Sequence, residues 1–164
     1  ISIGSRRVRE GRDHVMKAVL DTNVWLDWLV FGDAGVCAIV RGVERGALRV
    51  LGTDETRAEW LDVIARPLFG LDPHARAAAQ ATYDRWVQTC ARAPACALAC
   101  RDRDDQKFLD LAVAGHARWL VTKDKALLAL AGHAARAHAL SIVRPDAPSL
   151  QGALSGLSGA RANL

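Results

Sequence analysis

The chain alternates short, nearly unbroken apolar runs with longer stretches in which apolar residues recur every three or four positions. Lys17-Ala18-Val19-Leu20 is the first such run; Asp21-Thr22-Asn23 interrupts it, and Val24-Trp25-Leu26 then begins a helical pattern reaching Val30. An apolar run closed by turn residues and followed by helical spacing predicts a strand buried on both faces, then a helix. The cycle repeats. Val36–Arg45 reads as a helix with Val36, Ile39, Val40 and Val43 on one face, ending before Gly46. Leu48–Leu51 reads as a strand, and Thr53-Asp54-Glu55 opens a helix with a Trp60-Leu61-Ile64 stripe that stops at Pro67.

Asp72-Pro73 starts an alanine-rich helix read as far as Ala91, broken by Ala93-Pro94-Ala95. Gln106–His116 is predicted helical, Trp119–Thr122 a strand, Ala126–Ala131 a helix and Leu140–Val143 a last strand. Alternating strands and helices predict an α/β fold: a single three-layer domain, its central sheet mostly parallel, with helices on both faces. Residues 16–146 carry that pattern. Residues 1–15 are read as a flexible leader or cloning remnant, and residues 147–164, rich in Gly, Ser and Ala, as a loose tail.

Length and composition leave this picture standing. With 164 residues, 51% apolar and 24% charged, the chain suits one globular domain with a real core. No apolar run reaches bilayer-spanning length, and the arginine-rich start lacks the apolar stretch of a secretory signal. The formal charge is +4, but residues 1–15 supply +2 of it through four arginines set against Glu10 and Asp13. The remaining balance hints only weakly at a polyanionic partner. Cys37, Cys90, Cys96 and Cys100 form no CxxC pair and have no histidine at zinc-ligand spacing, which fits reduced thiols in a cytoplasmic protein.

The chemistry lies in acids at the junctions. Asp21 leaves the first strand, Asp124 follows the strand Trp119–Thr122, Asp105 opens a helix, and Glu59 borders the apolar stripe of its helix. Parallel strands bring Asp21 and Asp124 to one sheet edge, where open α/β sheets bind ligands. Carboxylates crowded there repel one another unless a cation sits between them, and hard Mg²⁺ or Mn²⁺ suits an all-oxygen site. Such an ion polarises a phosphodiester oxygen and acidifies water for in-line attack at phosphorus. Each acid also fits an ordinary role. Asp21 and Asp124 suit helix caps, Asp102, Asp104 and Asp105 suit one cap with solvated neighbours, and Glu59 suits a surface pair with Arg57 or Arg66. Spacing alone leaves both readings open.

Taken in order, the segments VLDTNVW (19–25), TDETRAEWLDVIARPLF (53–69), CRDRDDQKFLDLAVAGHARWLVTKDKALL (100–128) and IVRP (142–145) resemble the PIN-domain nuclease family. They are most similar to its VapC-type toxins of bacterial toxin–antitoxin pairs, in the branch with Arg-Pro after the Glu-bearing helix. The resemblance implies that Asp21, Glu59, Asp105 and Asp124 are the catalytic and metal-coordinating acids. It further implies that Asn23, Thr122 and Asp102 orient them, and it leaves Lys123 and Arg103 as substrate contacts. Lys123 departs from the branch, which commonly has a small residue there. The activity implied is Mg²⁺- or Mn²⁺-dependent cleavage of single-stranded RNA. A cognate antitoxin and a homodimer are the implied partners. A non-catalytic PIN-fold module that binds RNA or a partner is the alternative.

Overall fold

In a computed structural model, residues 15–156 are described. Five strands form one all-parallel sheet in the order β3-β2-β1-β4-β5. They are β1 (Met16–Leu20), β2 (Leu48–Gly52), β3 (Val87–Thr89), β4 (Trp119–Val121) and β5 (Ser141–Val143). The helices are α1 (Thr22–Leu26), α2 (Cys37–Glu44), α3 (Asp54–Ile64), α4 (Pro73–Trp86), α5 (Gln106–Ala114), α6 (Lys125–Leu128), α7 (Ala131–His138) and α8 (Pro148–Gly156). The α/β expectation holds.

The chain steps outward from β1 to β2 to β3, then crosses back to lay β4 and β5 on the other side of β1. Right-handed crossovers taken in opposite directions put their helices on opposite faces. The core divides accordingly. Ala18, Leu20, Val50 and Trp119 pack against Val24, Trp25, Ile39, Trp60 and Tyr83 of α1–α4. Val19, Leu51, Leu120 and Ile142 face the other way, onto Phe108, Leu109, Leu127 and Ala134 of α5–α7. The switch in strand order therefore falls between β1 and β4, which is where a ligand crevice is expected.

Four expectations change. The alanine-rich helix ends at Trp86, where Val87 turns extended and starts β3 beside β2. The first helix starts at Thr22, two residues early, and runs into a π-helical turn over Asp27–Phe31 that ends at Gly32 in the left-handed region. The predicted helix Ala126–Ala131 is instead α6 followed by a separate α7. The loose tail is corrected most. Pro148–Gly156 is a helix, with Leu150 and Leu154 buried on α2, so the packed unit extends past residue 146. Its stripe is two leucines four apart, easily lost among small residues. Gly42 of α2 makes room for it, since a Cβ there would lie 2.9 Å from Leu154 Cδ2. The Arg45 guanidinium also donates to the Leu154 carbonyl. The leader reading lies outside the described residues, apart from residue 15, and so do residues 157–164 of the tail reading. Among the described residues no single helix is long and apolar enough to cross a membrane.

Candidate metal centre

Asp21 ends β1 and is only 4% exposed. Its N–H donates to the Val121 carbonyl of β4 at 3.0 Å, so the sheet itself fixes the residue. It stands at the cap position of α1 but makes no side-chain cap hydrogen bond. Instead, the fully buried Thr122 hydroxyl donates to Asp21 Oδ2 at 2.7 Å. The same hydroxyl oxygen accepts the Asp124 N–H at 2.9 Å. One threonine thus ties the ends of β1 and β4 together. Asp124 in turn caps α6, its Oδ1 accepting from the N–H groups of Ala126 (2.8 Å) and Leu127 (3.2 Å).

The other two acids come from helices. Asp105 is half-buried at the start of α5 and makes no cap hydrogen bond. Glu59 projects from α3, where Thr53 caps the helix and fixes its start. Glu59 Oε1 lies 2.9 Å from Lys107 Nζ, and Oε2 accepts from the Thr22 hydroxyl.

The charges report the convergence. The Asp105 carboxyl is pushed from its ordinary 3.8 up to about 7, first by burial and then by repulsion from Asp21, Asp124, Asp102 and Glu59. Burial also raises Asp21, with Glu59 adding repulsion, against the Thr122 hydrogen bond and weaker attraction to main-chain N–H groups. Four acids therefore share one field, with the Lys107 ammonium as the cation paired inside it. Even so, among the described residues no three of His, Cys, Asp or Glu stand close enough to ligate one ion together. The acids lie within one another's field but short of the spacing that a shared ion requires.

The donor set fits a hard divalent cation. It is all oxygen, it carries excess negative charge, and it includes in Asp105 a half-buried carboxylate without a helix-capping role. Asp21, Glu59, Asp105 and Asp124 are the oxygen donors available to such an ion, and they would have to draw together to hold it.

The remaining predicted residues have differing surroundings. Thr122 orients both strand-end acids. Asp102 accepts from the Asp104 N–H at 3.0 Å, which caps the turn leading into Asp105, and its charge adds to the repulsion. Asn23 is exposed, and its main-chain N–H, not its amide, is what acts on Asp21. Lys123 places Nζ 2.7 Å from Oδ2 of the buried Asp27, pinning the loop between β4 and α6 to the π-helical turn. Arg103 is exposed on the turn before α5. Sequence reasoning gave no role to Thr22, Asp27 or Lys107. Lys107 sits two residues after Asp105, but its partner lies 48 positions away, which no local pattern announces.

The fold and site define an α/β domain with an acidic centre at the switch point of a parallel sheet, the arrangement of a nuclease-type fold. The chain belongs to the PIN-domain family, whose model, described as "PIN domain", matches residues 17–126. PIN domains are typically nucleases and generally use divalent metal ions. The matched span contains all four acids. No curated protein matches the chain.

Proposed function

We propose that this protein is a Mg²⁺- or Mn²⁺-dependent endoribonuclease that hydrolyses single-stranded RNA, acting as the toxin of a type II toxin–antitoxin pair. The observation that carries it is the geometry at the β1/β4 switch point, where the Thr122 hydroxyl joins Asp21 to the Asp124 N–H and the half-buried Asp105, free of any helix-capping bond, adds a further carboxylate to their field. A divalent ion bound there supplies polarisation of a phosphate oxygen and acidification of water. The chain does the rest. Thr122 holds Asp21 and the Asp124 backbone in register, the Thr22 hydroxyl fixes the direction of Glu59, and Lys107 neutralises that carboxylate until a cation takes its place. The carboxylates position; the bond to phosphorus is made by water as an ester P–O bond breaks.

The test is cleavage of single-stranded RNA with Mg²⁺ or Mn²⁺ by wild type, Asp21→Asn and Asp105→Asn. Loss of about a hundredfold or more in either variant is expected, above what removal of an orienting residue costs. Equal rates in all three, or no cleavage by clean wild type with either metal, overturn the reading.

A second reading is favoured by one observation. Lys107 already neutralises Glu59, so the fold is self-consistent as a binding module without catalysis. Titration calorimetry with Mn²⁺ separates the two, because that module leaves the acids metal-free. The antitoxin and homodimer belong to the first reading. Phe31 and Leu68, 60% and 85% exposed near Phe69, support a protein partner for that face.

A further inference from the structure

A cavity of about 560 Å³ opens beside the acids, lined by Thr53, Arg92, Pro94, Arg103, Lys107 and Asp110 among others. Its size falls within the range of small-ligand sites, about 300–1,000 Å³. It is linked to the acidic centre through Lys107, while none of the four acids lines it. Lys107 belongs to its wall and reaches Glu59, Arg103 and Gln106 flank Asp105 in sequence, and Thr53 caps the helix that carries Glu59.

The polar groups of the wall divide into committed and available. Gln106 spends its amide on Cys100 N–H, the Leu98 carbonyl and Asp110 Oδ1, and that Asp110 oxygen also accepts the Cys96 N–H. Arg92 and Arg103 are exposed, and among the described residues neither has a carboxylate within ion-pair distance. Glu55, on the α3 side of the wall, turns an anion away from that side and toward the two arginines. Pro94 with Ala93 and Ala95 supplies an apolar stretch, and no aromatic ring lines the cavity. The wall is thus built for a phosphate with an apolar neighbour, without stacking.

We infer that this cavity seats the nucleotide next to the scissile phosphate of a single-stranded RNA, with Arg92 and Arg103 gripping its phosphate. The inference rests on the ribonuclease reading for the location of the scissile bond. Contact through phosphate and an apolar wall, without base-edge donors or stacking rings, makes the subsite tolerant of sequence.

The experiment uses the full chain, a chelator and a fluorescent single-stranded oligonucleotide of 2′-O-methyl RNA, read by anisotropy over a range of salt. Arg92→Gln and Arg103→Gln are each expected to weaken binding about three- to tenfold and to lower the salt slope by about 0.7. The double variant combines both losses. Arg66→Gln, at the far end of α3 in an exposed pair with Asp62, is expected to bind as wild type does. Thermal melts verify folding, which these exposed arginines do not support through any ion pair.

Unchanged binding in the double variant overturns the subsite, as does an equal loss in Arg66→Gln or no binding by wild type. Cleavage of unmodified RNA with Mn²⁺ is scored separately. If wild type cleaves while the arginine variants bind normally, the subsite fails and the ribonuclease stands. If nothing cleaves while binding depends on both arginines, the ribonuclease reading fails and the groove remains as an RNA-binding surface.

Discussion

The acidic centre has two halves built on different principles. Asp21 and Asp124 leave adjacent strands and are locked to one another through the Thr122 hydroxyl, with Asp124 further committed to the α6 cap. Asp105 and Glu59 come from helices on opposite faces of the sheet. Asp105 has no cap to make, and Glu59 is steered by side chains of other elements. The sheet edge is the rigid half, because ladder hydrogen bonds fix both strand ends. The helix half is the adjustable one, since no ladder hydrogen bond fixes either acid.

The sharpest way to break the rigid half is Thr122→Val, which keeps the shape and removes the hydroxyl. The buried Asp21 carboxylate then loses its donor, at a cost of about 1–3 kcal/mol, and the half-buried Asp124 N–H loses its acceptor at a smaller one. Affinity for Mn²⁺, measured by calorimetry, is expected to fall about 10–100-fold. Unaltered affinity in a folded Thr122→Val protein would mean that the strand ends need no pin.

The adjustable half is probed by Lys107→Met. In the metal-free protein the ammonium competes for Glu59, so its removal is expected to tighten Mn²⁺ binding severalfold while lowering metal-free thermal stability. Weaker Mn²⁺ binding instead would show that Lys107 serves to aim Glu59, and the two halves would be equally rigid.

The same division explains what the sequence disclosed. The strand-end acids were legible because an apolar run stopping at Asp21-Thr22-Asn23, and another stopping at Thr122, mark junctions whatever the partner residues do. Thr53 as a cap was legible for the same local reason. Strand β3 was not, since Val87-Gln88-Thr89 carries one apolar residue after fourteen helical positions and is a strand only because β2 lies beside it. Helix α8 was hidden because two leucines suffice once Gly42 admits Leu154. Lys107–Glu59, Thr22–Glu59 and Lys123–Asp27 join elements that only the fold brings together, so no local pattern announces the pairs.

The smallest effect is a pH dependence, and its sign distinguishes the acidic centre from an ordinary ion pair elsewhere. The Arg57 guanidinium holds Asp84 below its ordinary 3.8, so the stability that this exposed pair contributes is lost only as pH falls through that low value. Asp105 runs the opposite way. Between 3.8 and about 7 the folded, metal-free chain holds a proton that the unfolded chain has released. Unfolding then releases protons, so stability falls as pH rises through this window and levels off above it. Denaturant titrations of chelator-treated protein at about pH 5, 6, 7 and 8 are expected to follow that decline, with Asp21, also raised, adding to it. Asp105→Asn flattens the slope, since the amide carries no proton to lose. Saturating Mn²⁺ replaces the proton as the neutralising charge and is expected to leave stability highest at the alkaline end. A metal-free wild type whose stability climbs with pH in step with Asp105→Asn would mean that the acids do not share a field, and the adjustable half of the centre would have no electrostatic reason to close.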